Sequence, residues 1–262
     1  MRGAVVDLDG TVYRSTVPVN GAVDGISELR SSGVDVLFVS NTSSKSRKTC
    51  VDRLDDMGIE ASPDDIVTGA SVTAAYVSES SPDATAFLVG EEPLREEFKR
   101  ADVTLTDDPG TATVLVVGKD QSFDFDTLTA AARVLDEGAA FVATNLDRRS
   151  PTASGVVPGT GAIVAAVAAT SGREPDIVAG KPHDPVIETT LWLLDLPPSA
   201  CLMIGDNPET DVAMGKRAGM TTVLIESGLE SSDVSATDGD GPDYVLETMA
   251  SIGDVLDVEA CG

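Results

Sequence analysis

The chain has 262 residues, with 18 basic and 44 acidic side chains and a formal net charge of −26. So acidic a surface excludes a general basic face for nucleic-acid backbones and suits an anionic membrane equally poorly, while 42% hydrophobic residues supply a sizeable core and argue against disorder. Only six cations are lysine and 29 of the acids are aspartate, a balance that a cytoplasm at very high salt favours and that points to a halophilic source, with an ordinary acidic protein as the alternative.

Short β-branched runs alternate with stretches whose apolar residues recur every three or four positions, the pattern of β-α units around a parallel sheet. The spacing predicts strands over 4–7, 34–40 and 65–68, with helices over 23–32, 44–57 and 71–78. Gly33, Gly58 and Gly219 stand where helices call for a left-handed closing residue. The middle repeats the pattern on a smaller scale, with strands over 86–90, 113–118 and 140–144 and helices over 91–100 and 125–137. Strands over 177–180, 200–205, 221–225 and 243–245 follow, separated by helices over 185–194 and 209–218, and the acidic stretch 226–242 reads as a solvated loop. Polar segments 78–84 and 171–175 read as hinges. The expectation is therefore an α/β protein: a doubly wound parallel-sheet core of residues 1–80 and 176–262, with a smaller α/β domain of residues 81–175 inserted, and a ligand site at the carboxyl ends of the core strands.

Cys50, Cys201 and Cys261 are scattered and odd in number, forming neither a metal pair nor a disulfide framework. A reducing, cytoplasmic setting is expected. Nothing approaches the roughly 18 apolar residues that a membrane span needs, so a soluble protein is expected as well.

Strand ends carry the chemistry. Asp7 and Asp9 leave the first strand on the same side, where like charges are costly unless a cation or a division of labour offsets them. Asp206 opens after the strand at 200–205, and Asp211 begins the next helix. Together with Asp7 they suit a hard divalent ion such as Mg²⁺, which takes oxygen ligands. One histidine in the whole chain excludes a multi-histidine zinc site. Ser40, Asn41 and Thr42 follow a buried strand and offer hydroxyls and backbone N–H groups to an anion, and Lys181, between Gly180 and Pro182, follows another. Weaker signals are Gly159-x-Gly161, a partial dinucleotide pattern better read as a helix start; His183, better read as exposed or capping; and Trp192, better read as helix packing. Lys45, Arg47 and Lys48, with Arg148 and Arg149, form either a local positive rim or a solvated basic face.

In chain order, Asp7-x-Asp9-Gly10-Thr11, Ser40-Asn41, Lys181 and Gly205-Asp206-x4-Asp211 resemble the four motifs of the haloacid dehalogenase (HAD) phosphatase superfamily. The long insertion between the second and third motifs resembles subclass IIA, the NagD-like and p-nitrophenyl phosphatase-like enzymes, as do Asn145-Leu146-Asp147, Pro158-Gly159-Thr160-Gly161, Thr170-Ser171-Gly172-Arg173 and Gly180-Lys181-Pro182. The resemblance spans nearly the whole chain and, with the Asp-rich balance, implies a haloarchaeal phosphatase.

The resemblance also implies roles. Asp7 is the expected nucleophile, and Asp9 the expected acid and base, its backbone carbonyl joining Asp7 and Asp206 on Mg²⁺. Ser40, the Asn41 backbone and Lys181 would hold phosphate, with Asn207 and Asp211 supporting Lys181 and the metal ligands. Asn145 and Asp147 of the inserted domain, and Thr42 where many relatives carry a second asparagine, would contact the substrate's leaving group. The implied activity is Mg²⁺-dependent hydrolysis of a small phosphate ester, such as a sugar phosphate or nucleoside monophosphate, through an aspartyl phosphate. A phosphotransferase or phosphomutase of the superfamily, or a phosphate-binding regulator without turnover, are the alternatives. Relatives often pair through the inserted domain, which leaves a homodimer as a further expectation.

Overall fold

The structure is a computed structural model that describes residues 1–152, 155–226 and 241–261. Along the chain come β1 (Gly3–Asp7), a hairpin of β2 (Tyr13–Arg14) and β3 (Val17–Pro18), α1 (Ala22–Ser31), β4 (Asp35–Ser40) and α2 (Arg47–Asp56). Next are β5 (Ile66–Thr68), α3 (Gly69–Ser80), β6 (Thr85–Val89), α4 (Glu92–Arg100), β7 (Thr104–Leu105), β8 (Val114–Val117), α5 (Phe125–Asp136) and β9 (Ala140–Ala143). A second hairpin, β10 (Arg149–Thr152) and β11 (Gly155–Pro158), leads to α6 (Thr160–Ser171), β12 (Ile177–Val178) and α7 (Asp184–Leu194). The chain continues with β13 (Cys201–Gly205), α8 (Ala213–Ala218), β14 (Thr221–Ile225), β15 (Tyr244–Leu246) and α9 (Ile252–Cys261). It divides into two compact units, one of Met1–Ser40, Arg47–Val67 and Ile187–Gly262, the other of Asn41–Ser46 and Thr68–Val186.

The first unit is built on a six-stranded sheet in the order β15-β14-β13-β1-β4-β5. β1 runs parallel to both neighbours, with Val6 opposite Ile204 of β13 and Asp7 opposite Val39 of β4. All five residues of β1 are buried, as a strand covered on both faces requires. Val6, Leu8, Phe38, Leu202 and Ile204 pack with Ile26 and Leu29 of α1 and Ile252 and Val255 of α9 in one apolar cluster. Truncating a fully buried side chain such as Phe38 would cost about 3–5 kcal/mol. Because the strands are parallel, Asp7, Ser40 and Gly205 close adjacent strands at the same edge, where a doubly wound sheet opens to ligands.

The second unit has a five-stranded sheet in the order β12-β9-β8-β6-β7, with parallel pairing throughout. Alternation along β8 sorts its two faces: Leu115 and Val117 pack with Val134 of α5 and Val164 and Val167 of α6, while Val114 and Val116 pack with Ala74 and Val77 of α3 and Phe98 of α4.

Long-range packing moves the unit boundaries away from the expected 81–175. Ala70, Ala74 and Val77 bury against the five-stranded sheet, and Ile177 and Val178 pair with Val142 and Ala143 of β9, so α3 and β12 belong to the second unit. The helix expected over 209–218 is two turns of different kinds: a π-helical turn over Pro208–Val212 leads into α8. Trp192, expected to pack, is 80% exposed. Most of the acidic stretch 226–242 lies outside the described residues. Among those described, no helix is long and apolar enough to cross a membrane, and Cys50 and Cys201 are buried and in no disulfide.

Candidate active site

Within the first unit, the carboxylate oxygens of Asp7, Asp206 and Asp211 approach one another to within 4.8 Å. Asp7 and Asp211 are buried, and Asp206 is half-buried. Three carboxylates so close repel one another strongly unless a cation or donors offset the charge, and their hard oxygens suit Mg²⁺. Local structure explains how they converge. Gly10, at φ +111°, turns the chain after β1 where a Cβ would sit 2.2 Å from Asp206 Oδ2, so only glycine fits. Its N–H donates to the Tyr13 carbonyl at 2.8 Å, tying the turn to the β2–β3 hairpin. After β13, the wide turn lets the Asp211 and Val212 N–H groups both donate to the Asn207 carbonyl. The same turn brings Asp211 Oδ2 back onto the Asn207 N–H at 3.0 Å, while Asn207 Oδ1 accepts from the Glu209 N–H at 2.9 Å.

Two residues here had no expected role. Thr11 is fully buried, and its hydroxyl lies 3.1 Å from Asp7 Oδ2 and 3.4 Å from Asp206 Oδ1. Its place in the Asp7-x-Asp9-Gly10-Thr11 motif was its signal in the sequence. Tyr13 is buried under the Arg53 guanidinium, 5.7 Å from its ring centroid. Burial first, then the Asp9 carboxylate, raises the Tyr13 phenol far above its ordinary range, so it stays protonated. Ser40 Oγ donates to Asp9 Oδ2 at 3.4 Å, which joins the hydroxyl expected to hold phosphate to the carboxylate expected to move protons.

The remaining expected site residues belong to the second unit. Lys181 is buried, and its backbone N–H donates to Asn41 Oδ1 at 2.8 Å. Asn41 Nδ2 faces both oxygens of Asp147, and Asn145 Nδ2 donates to the Asn41 carbonyl. The Thr42 hydroxyl accepts from the Ser44 N–H at 3.4 Å, and the Thr42 carbonyl accepts from the Ala70 N–H at 3.3 Å. The N–H groups of Gly159 and Gly161 donate to the carbonyls of Arg148 and Asp147 at 2.9 Å each, and so the partial dinucleotide pattern serves a helix start. His183 is half-buried, with its N–H on the Gly180 carbonyl. In the basic set, Lys48 is paired with Asp52 one helical turn away, and Arg148 and Arg149 are exposed.

Residues 4–104 match the haloacid dehalogenase-like hydrolase family and residues 178–252 a second HAD-hydrolase-like family. An acid sugar phosphatase of Staphylococcus haemolyticus is 32% identical over 95% of this chain and 94% of its own. Among solved structures, a p-nitrophenyl phosphatase from Archaeoglobus fulgidus superposes with a TM-score of 0.89 at 34% identity, covering 97% of this chain and 98% of that one. A glycerol phosphate phosphatase from Mycobacterium tuberculosis, solved in complex with calcium, gives a TM-score of 0.87 at 30% identity over 95% of this chain and 74% of that one.

Proposed function

The chain belongs to the haloacid dehalogenase-like hydrolases, in the p-nitrophenyl phosphatase-like subclass IIA, and is a phosphoric monoester hydrolase; from that premise we propose that it works with Mg²⁺ through an aspartyl phosphate on Asp7. The convergence of Asp7, Asp206 and Asp211 at one edge of a parallel sheet carries this reading.

Asp7 and Asp206, with the Asp9 backbone carbonyl, would hold Mg²⁺; Asp211, whose oxygens already accept from Asn207 N–H and Thr210 Oγ1, would support them from behind. When bound, the ion offsets the negative charge of the phosphoryl group and of the nucleophile. An Asp7 oxygen attacks phosphorus, the new P–O bond forms, and the bond to the leaving alcohol oxygen breaks as Asp9 delivers its proton. Water then attacks phosphorus in turn. Asp9 takes its proton, and phosphate leaves with Asp7 restored. Ser40 Oγ and the Asn41 N–H hold phosphate oxygens, and Lys181 neutralises them. Substrate selection falls to the second unit, where the resemblance assigns Asp147 and Thr42 to contacts with the leaving group.

The relatives' names support a small organic phosphate as substrate, of the sugar phosphate, nucleoside monophosphate or glycerol phosphate kind. The Asp-rich, Lys-poor composition supports action at high salt, and the three scattered cysteines support a reducing cytoplasm. Assaying a panel of phosphate esters with Mg²⁺, with and without a chelator and an added alcohol, tests the proposal. Inorganic phosphate as the product, lost on chelation, supports it; transfer to the alcohol in place of water would make the protein a phosphotransferase.

A further inference from the structure

Two asparagines of the second unit brace each other's loops. The Asn41 side chain meets Lys181 as one peptide meets another: Oδ1 accepts the Lys181 N–H at 2.8 Å, and Nδ2 points at the Lys181 carbonyl at 3.3 Å and at both Asp147 carboxylate oxygens at 3.3 Å. Asn145 returns the contact. Its Nδ2 donates to the Asn41 carbonyl at 2.7 Å and lies 3.4 Å from Thr144 Oγ1, and its Oδ1 accepts the Asp147 N–H at 3.0 Å. Asn145 is only 3% exposed, and both of its side-chain heteroatoms are already engaged within the protein.

Glycines let the loops close this far. A Cβ on Gly180 would lie 2.6 Å from Asn41 Oδ1 and 2.6 Å from the Thr144 carbonyl, and one on Gly69 would lie 2.6 Å from the Asn41 carbonyl. The Asn41 carbonyl is thus held between Asn145 and the start of α3. Because the peptide is planar and trans, fixing that carbonyl also fixes the Thr42 N–H, which points the opposite way.

We propose that Asn145 is a positioning residue, interlocked with Asn41 so that the loop carrying Asp147 sets the backbone of Lys181 and of the Asn41–Thr42 peptide. The catalytic consequence rests on the phosphatase reading above; the interlock itself does not. A phosphate site gains most from donors that need no reorganisation on binding. Asn145 supplies that rigidity without touching substrate. Selection and chemistry are thereby coupled: a leaving group that shifts the Asp147 loop shifts Lys181 with it.

Asn145→Asp in the full chain is the test, since it is nearly isosteric and replaces the Nδ2 donor with a carboxylate oxygen. A carboxylate at 145 faces the Asn41 carbonyl with no proton to give. As pH falls the buried acid takes up a proton and donates again, the direction that burial and an acceptor neighbour impose. Charged residues near position 145 include Asp147 and Arg148 on its own loop and Lys181 on the loop after β12; all are present in the wild type, so the variant-to-wild-type ratio isolates the new carboxyl.

At pH 7.5 we expect the Lys181 amide to exchange hydrogen about 10-fold faster than in wild type, and kcat on p-nitrophenyl phosphate to fall about 10-fold or more with KM little changed. Both ratios should recover towards one by about pH 5. Unchanged Lys181 exchange, or a rise in KM with kcat intact, overturns the proposal; the second result would make Asn145 a substrate contact. If Asn145→Asp does not fold, Asn145→Ser, which shortens the donor without adding charge, takes the same two measurements. Loss of Lys181 protection in a chain whose wild type releases no phosphate would sink the phosphatase reading and leave the interlock standing.

Discussion

Thr11 Oγ1 stands between Asp7 Oδ2 and Asp206 Oδ1, at 3.1 and 3.4 Å, one buried hydroxyl serving carboxylates that leave two different strands. A hydroxyl has one proton, and the shorter contact gives it to Asp7. Thr11→Val keeps the shape and removes the donor, with an expected loss of about 1.5–3 kcal/mol from a hydrogen bond to a charged group, or roughly 10- to 150-fold in kcat. Thr11→Ser should retain most activity. Steady-state kinetics on p-nitrophenyl phosphate across a Mg²⁺ titration distinguishes the two variants.

Gly205, the last residue of β13, leaves room for Asp211: a Cβ there would lie 2.2 Å from Asp211 Oδ2 and 2.3 Å from its Cβ. Gly205→Ala must push Asp211 out of the carboxylate group. Activity should fall by at least about 100-fold, as misplacing catalytic groups by an ångström does, with weaker Mg²⁺ binding by titration calorimetry. Mg²⁺ affinity equal to the wild type would show that Asp211 is dispensable to the group.

At the opposite edge of the first sheet, Asp243 ties the starts of β14 and β15. Its Oδ2 accepts from the Thr222 N–H at 2.8 Å and the Thr222 hydroxyl at 2.7 Å, and its Oδ1 pairs with Lys216 at the end of α8. Burial alone would raise this carboxyl, but the Lys216 and Thr222 hydrogen bonds outweigh it and hold it below the ordinary range. A depressed folded value stabilises the protein above the unfolded value of about 3.9, and that contribution is lost as pH falls through the folded value. Asp243→Asn should destabilise by about 1–2 kcal/mol at pH 7, discounted for partial exposure, and by less near pH 3. Thermal melts of both proteins at the two pH values check it.

With a net charge of −26, the surface repels itself, and added salt shortens the range of that repulsion from about 10 Å at 0.1 M to about 3 Å at 1 M. The melting temperature should rise by more than about 5 °C between 0.1 and 2 M KCl. A flat or falling response would return the composition to that of an ordinary acidic protein.

The core strands were legible as short apolar, β-branched runs whose ends point to Asp7, Ser40 and Asp206, whereas Lys181, read as following a core strand, follows β12 of the second sheet. The β2–β3 hairpin was not legible: its strands of two residues carry no periodicity, yet it fixes the Gly10 turn through Tyr13. Unit membership of α3 and β12 also escaped sequence, because it depends on which distant sheet their apolar residues meet. Asn145 was read in the sequence as a substrate contact and its own contacts were not legible, since the direction of an amide group follows from neighbours more than a hundred positions away, as Asn41 is.

The aspartyl phosphate on Asp7 is the central claim, and acid-quenched turnover followed by peptide mass analysis tests it most directly. Wild-type protein mixed with p-nitrophenyl phosphate and Mg²⁺ should carry a phosphoryl group on the peptide that contains Asp7, and Asp7→Asn should carry none and release phosphate at least about 1,000-fold more slowly. Undiminished phosphate release by Asp7→Asn would contradict the account.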